Sequence, residues 1–208
     1  MIVVPFFGSD PITARPQPWT KTIYSEELEQ FSGQYYDFRA TPELVETVLE
    51  DFTPYADRPA IRHFYEILRW VNGDESVLET TDCAFRAPHP VDQKAVFGFQ
   101  LQCDGRLQFF HRDMEVNTEP ATFYEFVSSF CVFLQLENRS FSAGLFEVSH
   151  AMTQFTALPA DKQKGARICV RFIAYGNTDA QAFGNLKVVF ECLAAALRQL
   201  SEARSRSR

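Results

Sequence analysis

Nucleophilic or metal chemistry in this chain would have to come from its five cysteines and four histidines, and their spacing decides what they could do. A zinc site needs His or Cys in pairs such as His-x-x-x-His or Cys-x-x-Cys, and none of the histidines has a second ligand at those separations. A site gathered from distant segments, such as His111 and His150 with Glu147, is the only metal arrangement left. A histidine alternating with apolar neighbours is more often a packed strand residue, so no metal is expected. Thiol catalysis would need a cysteine activated by a histidine, and Cys83 or Cys103 with His111 is the one pairing a hairpin would bring near. Of these Cys103 has the more reactive setting, because the local pattern places it in a turn.

The triplet His111-Arg112-Asp113 resembles the catalytic loop of protein kinases, which carries an Asn five residues after the Asp and follows a Gly-rich loop. Here Asn117 comes one residue early, Thr118 holds the required place, and no Gly-rich loop precedes it. The triplet is read as chance. No Gly-x-Ser-x-Gly elbow, phosphate-cradling loop or dinucleotide fingerprint occurs, so no cofactor is expected and the reading leans away from an enzyme. Asn138-Arg139-Ser140 matches a glycosylation sequon, which a cytoplasmic chain would never present to the transferase. On one helical segment Trp70 lies near Arg62, His63 and Arg69, which would suit either an interaction patch or the edge of a core.

The elements that must position these residues follow from composition and period. At 208 residues, with 46% apolar and 23% charged, the chain suits one core with embellishments, and its 21 Phe call for a bulky aromatic interior. No apolar run reaches the roughly 20 residues of a membrane span. The cysteines are odd in number, widely spaced and set in apolar or alternating segments, which fits reduced thiols in a cytoplasm. Net charge is −7, and Arg204, Arg206 and Arg208 oppose it, so the body repels nucleic acid and anionic membrane.

Residues 2–7 suit an opening strand, and Pro5 assigns it to a sheet edge. Thr41-Pro42 and ELVETVLEDF predict a capped helix burying Leu44, Val45, Val48, Leu49 and Phe52. A second helix runs from Pro59 to Val71, with Asn72-Gly73 as its stop. The period then changes to two through VLETTDCAFR until Pro88-His89-Pro90 breaks it. AVFGFQLQ-CDG-RLQFFHRD reads as a hairpin whose three-residue loop Cys103-Asp104-Gly105 pairs Leu101 with Leu107 and Phe99 with Phe109. That register makes one face apolar and the other largely wet. After Thr118, taken as N-cap, the segment to Glu137 carries an apolar arc through Phe123, Phe126, Val127, Phe130, Phe133 and Leu134. Tyr124, Cys131 and Val132 widen the arc enough to predict a deeply covered helix. Strands follow near Leu145–Met152 and Arg167–Tyr175. A closing helix capped by Thr178 or Asp179 has the stripe Phe183, Leu186, Phe190, Leu193, Leu197 and Leu200.

The expected architecture is α+β: an antiparallel, meander-type sheet with helices on one face, in the order α-β-β-β-α-β-β-α. Residues 1–58 form an N-terminal arm and helix packed on the main domain, 59–200 the core domain and 201–208 a flexible Ser/Arg tail. In element order the chain resembles the small α+β chaperones of type III secretion and related chaperone-like domains. That resemblance implies dimerisation and the binding of extended polypeptide segments. The function expected is a non-enzymatic, cytoplasmic protein-interaction or chaperone-like module whose partner is another protein, with a homodimer formed through a helix stripe or the sheet edge. The competing expectation is a small-ligand-binding or enzymatic domain with an aromatic pocket lined by Phe97, Phe99, Phe109, His111 and Phe126.

Overall fold

The computed structural model of the protein describes residues 3–5, 13–15, 20–25, 30–35, 38–91, 98–137, 142–155 and 164–205. Phe97 and the sequon at Asn138 lie outside them. The strands are β1 (Val3–Pro5), β2 (Thr13–Arg15), β3 (Thr20–Ser25), β4 (Gln30–Tyr35), β5 (Leu78–Pro90), β6 (Leu101–His111), β7 (Gly144–Phe155) and β8 (Lys164–Gly176). The helices are α1 (Val45–Val48), α2 (Pro59–Asn72), α3 (Met114–Thr118), α4 (Pro120–Glu137) and α5 (Asp179–Ser205). The fold is α+β.

Its centre is a four-stranded antiparallel sheet in the order β5-β6-β8-β7, so two hairpins are joined by the α3–α4 crossover. β1 and β2 add to the outer side of β7 in parallel, and β3 pairs with β4 as a separate hairpin. Direct register partners share a face. Phe146, Phe172 and Gly105 therefore stand on one side, as do Val148, Val170 and Leu107. Against that side pack α2, α5 and α4: Phe172 meets Phe64 and Phe190, while Phe109 meets Phe126 and Phe130 edge-on. The stripe of α5 from Phe183 to Leu200 is buried as the sequence requires. The Thr178 hydroxyl accepts from the Gln181 amide at the start of this helix.

Four elements differ from the sequence reading. Residues 42–55 make a short 3-10 turn, the single turn α1 and a second 3-10 turn instead of one helix. Leu49 leaves helical space there, which lets Phe52 insert its ring between Phe64 and Phe85. Thr118 does not cap α4. It closes α3, whose N-cap is Asp113, and its hydroxyl donates to the Met114 carbonyl. The Ser/Arg tail is helical through Ser205, and Ser201 is buried, accepting from the Val77 amide. Among the described residues α5 is the one helix long and apolar enough, by length and composition, to cross a membrane, and half of that span is buried inside the fold.

The fourth difference is the hairpin. Cys103, Asp104 and Gly105 lie in the interior of β6, paired with Ala174, Ile173 and Phe172 of β8. β6 instead forms its hairpin with β5, which runs on through Pro88 and Pro90, and the left-handed glycine on the connection is Gly98. Local turn chemistry lost to a distant strand. Asp104 is held in the sheet by Arg86 at 3.0 Å and Gln102 at 3.1 Å, and the Phe172 ring covers the bare Cα of Gly105. A Cβ at Gly105 would lie 2.2 Å from the Ala84 carbonyl and 2.6 Å from that ring. Gly105→Ala should therefore cost about 3 kcal/mol by overpacking. In contrast Gly184→Ala on α5, where a Cβ meets nothing within 4 Å, should gain about 0.5–1 kcal/mol. Urea unfolding of the two variants reads both signs, and an unchanged midpoint for Gly105→Ala would refute the strand placement.

Candidate functional site

The residues that sequence reasoning put forward for chemistry do not converge. Cys103 and His111 lie at opposite ends of β6, about 26 Å apart at the usual strand rise. The Cys103 thiol points to the carbonyls of Ala174 and Ala182, each at 3.7 Å, and burial pushes it up to about 12. Cys83 is raised by burial and by the charges of Asp82 and Asp51, and burial lifts Cys131 to about 11. Cys169 and Cys192 shift the same way for the same first reason. Thiols raised in this direction are poorer nucleophiles at neutral pH. His150 and Glu147 have opposite parity on β7, so they stand on opposite faces of the sheet and cannot close a metal site with His111.

The kinase-like triplet is a structural joint. His111 Nδ1 accepts from the Asp113 amide, Asp113 caps α3, and Arg112 donates to the carbonyls of Ser76 and Asn72, both at 2.7 Å. Of the aromatic set, Phe109 and Phe126 belong to the core and Phe99 is half-buried. Phe109 and Phe126 are buried ring to ring, His111 stands edge-on to Phe126, and Phe99 stacks on Tyr175 elsewhere. Around Trp70 the cations are engaged internally. Arg69 pairs with Glu46, Arg62 donates to the Ala56 carbonyl and Arg198 lies over the indole.

The outward face of the sheet is polar yet largely covered, in contrast to the wet face expected. Gln102, Asp104, Gln108 and Arg167 on it are buried. His89 Nδ1 donates to the Ala87 carbonyl at 2.8 Å, and its Nε2 accepts from Gln102 at 3.1 Å. Farther along, Arg106 pairs with Asp82 at 2.8 Å and Arg171 with Glu147 at 3.2 Å.

What remains is the rim formed by β7 and α4. Pro120 opens α4, and the Glu119 carbonyl accepts from the Phe123 amide. The helix is apolar nearly all round, and a sheet contact covers only part of such a circumference. The three large exposed apolar side chains among the described residues all stand on it: Tyr124, Val132 and Leu136, at 51%, 52% and 41% exposure. Their spacing in multiples of four aligns them on one stripe. The expectation that Tyr124 and Val132 are deeply covered is thus corrected, and the excess width of the arc was the signal. His150 ties this stripe to the sheet, with its ring edge-on to Phe123 at 6.0 Å and to Tyr124 at 6.3 Å.

Beside α4, the outer side of β7 is paired with β1 at Phe146–Val148 and with β2 at Thr153–Phe155. Among the described residues no strand pairs with Ser149–Met152 on that side. A sheet edge next to an apolar helix stripe can bind an extended chain, the edge through backbone hydrogen bonds and the stripe through side chains.

No family model, curated protein or solved structure matches the chain.

The thiols give a pH test. Folded Cys103 titrates near 12 against an ordinary value of 9.0, so the native state keeps a proton that the unfolded chain loses first. Its stabilisation is complete below the lower value and is lost as pH rises toward the higher. Unfolding free energy should fall as pH rises from about 9 toward about 12, and Cys103→Ala should flatten part of that fall. An equal slope in the variant would contradict the assignment.

Proposed function

We propose that the chain is a non-enzymatic, chaperone-like module that binds an extended segment of another protein along β7 and the exposed stripe of α4. The observation that carries this reading is the exposed alignment of Tyr124, Val132 and Leu136 on α4, with Tyr124 against His150 of β7. The opposite edge is unsuited to the same task. β5 carries Pro88 and Pro90 and shifts register twice, features that deny a neighbouring strand a continuous ladder. Net charge of −7 favours a neutral or basic partner segment over an acidic one. Five free cysteines support residence in the cytoplasm.

Selection of peptides from a random library against the full chain tests this. Selected peptides should slow amide exchange in Gly144–Phe155, and should bind Val132→Glu/Leu136→Glu at least about 10-fold more weakly. The two positions are exposed, so the variant should keep its stability within about 0.5 kcal/mol. Peptides that protect another surface, or bind both proteins equally, would reject the site. A concentration-dependent dimer that dissociates in the double variant would identify the occupant as a second copy.

A further inference from the structure

We propose that the middle of the outward sheet face binds the phosphate group of a small molecule, held between the guanidiniums of Arg106 and Arg171. The two arginines are direct cross-strand partners on β6 and β8, the central strands of the sheet. Leu107 and Val170, the neighbouring pair, are fully buried in the core, so Arg106 and Arg171 stand on the opposite, outward side. Directly opposed residues hold their Cβ atoms about 5 Å apart, and like charges at that spacing destabilise a sheet. In a chain of net charge −7, this pair gathers positive charge at one point of one face. The α4 stripe lies on the other side of the sheet, so the site is independent of it.

The flanking carboxylates do not use the pair up. Arg106 Nε donates to Asp82 at 2.8 Å and Arg171 Nη1 to Glu147 at 3.2 Å, each a single contact with one of the outer strands. A guanidinium carries several N–H donors in a planar fork, so single contacts leave most of them free. They are also accessible, since the two side chains are 49% and 46% exposed. Along the strands the same face closes on both sides of the pair: Asp104, Ile173 and Tyr175 are buried in one direction, and Gln108, Phe110 and Arg167 in the other. An opening bounded in this way admits a compact group and excludes a chain lying along the strands. One arginine fork satisfies a carboxylate by itself, whereas a phosphate has further oxygens and a larger charge to share between two guanidiniums.

The test follows backbone amide shifts of the full chain on titration with inorganic phosphate, acetate or a phosphoserine peptide, all at constant ionic strength. Phosphate should saturably shift the amides around Arg106 and Arg171 with a dissociation constant on the order of 1 mM, and acetate should bind at least about 10-fold more weakly. Asp82→Asn/Glu147→Gln releases both guanidiniums from their internal partners and should tighten phosphate about 10-fold. Arg106→Gln/Arg171→Gln should abolish the shifts. Shifts that persist in a folded arginine variant overturn the inference by placing phosphate elsewhere. Should that variant lose its fold, the carboxylate variant still decides, because unchanged or weaker phosphate affinity in it overturns the site. Acetate binding as tightly as phosphate overturns the choice of group. A peptide held at least about 10-fold more tightly than free phosphate overturns the small-molecule source, and equal or weaker peptide binding supports it.

Discussion

The fold depends on one buried polar joint where α2 ends and β5 and β6 meet. Asn72 closes α2 by donating to the Leu68 carbonyl, and its side-chain oxygen accepts from the Thr80 amide at 3.1 Å. Arg112, leaving β6, donates to the carbonyls of Ser76 and Asn72 and reaches that of Val71 at 3.4 Å. These include orphan acceptors that the C-terminal turn of a helix leaves behind. Burial lowers the guanidinium from its usual range, and Glu79, 3.8 Å away, partly offsets this. Hydrogen bonds from a charged donor contribute about 1.5–3 kcal/mol each, and losing the donor would strand the acceptors. The joint fixes the depth and rotation of α2 on the sheet. Rotation in turn brings Phe64 against Phe172 and Phe190, the centre of the aromatic core.

From that centre the positions of the other helices follow by packing. α5 runs over the middle of the sheet beside α2, which leaves α4 toward the other margin, packed on α5 and in contact with β8 and β1. A helix at the margin of a layer has neighbours on fewer sides. α4, apolar around most of its circumference, therefore buries Phe123, Phe126, Phe130 and Leu134 and leaves the Tyr124–Leu136 stripe outside. The exposed stripe is thus a consequence of where α4 lies as much as of its composition.

Elements with their own strong period were legible in the sequence: α2, α5, β7 and β8 lie where apolar spacing puts them, and Pro5 places β1 at an edge. The α+β class follows from the same patterns. The Cys103-Asp104-Gly105 loop was not legible as a strand, because what straightens it is β8, more than sixty residues away, together with the Phe172 ring over Gly105. α1 failed as a full helix for a related reason, since its period was right but Phe52 gains more from the Phe64–Phe85 stack. The candidate site was half legible. The width of the α4 arc stands in the sequence, but whether an arc is covered depends on the layer order, which local pattern does not encode.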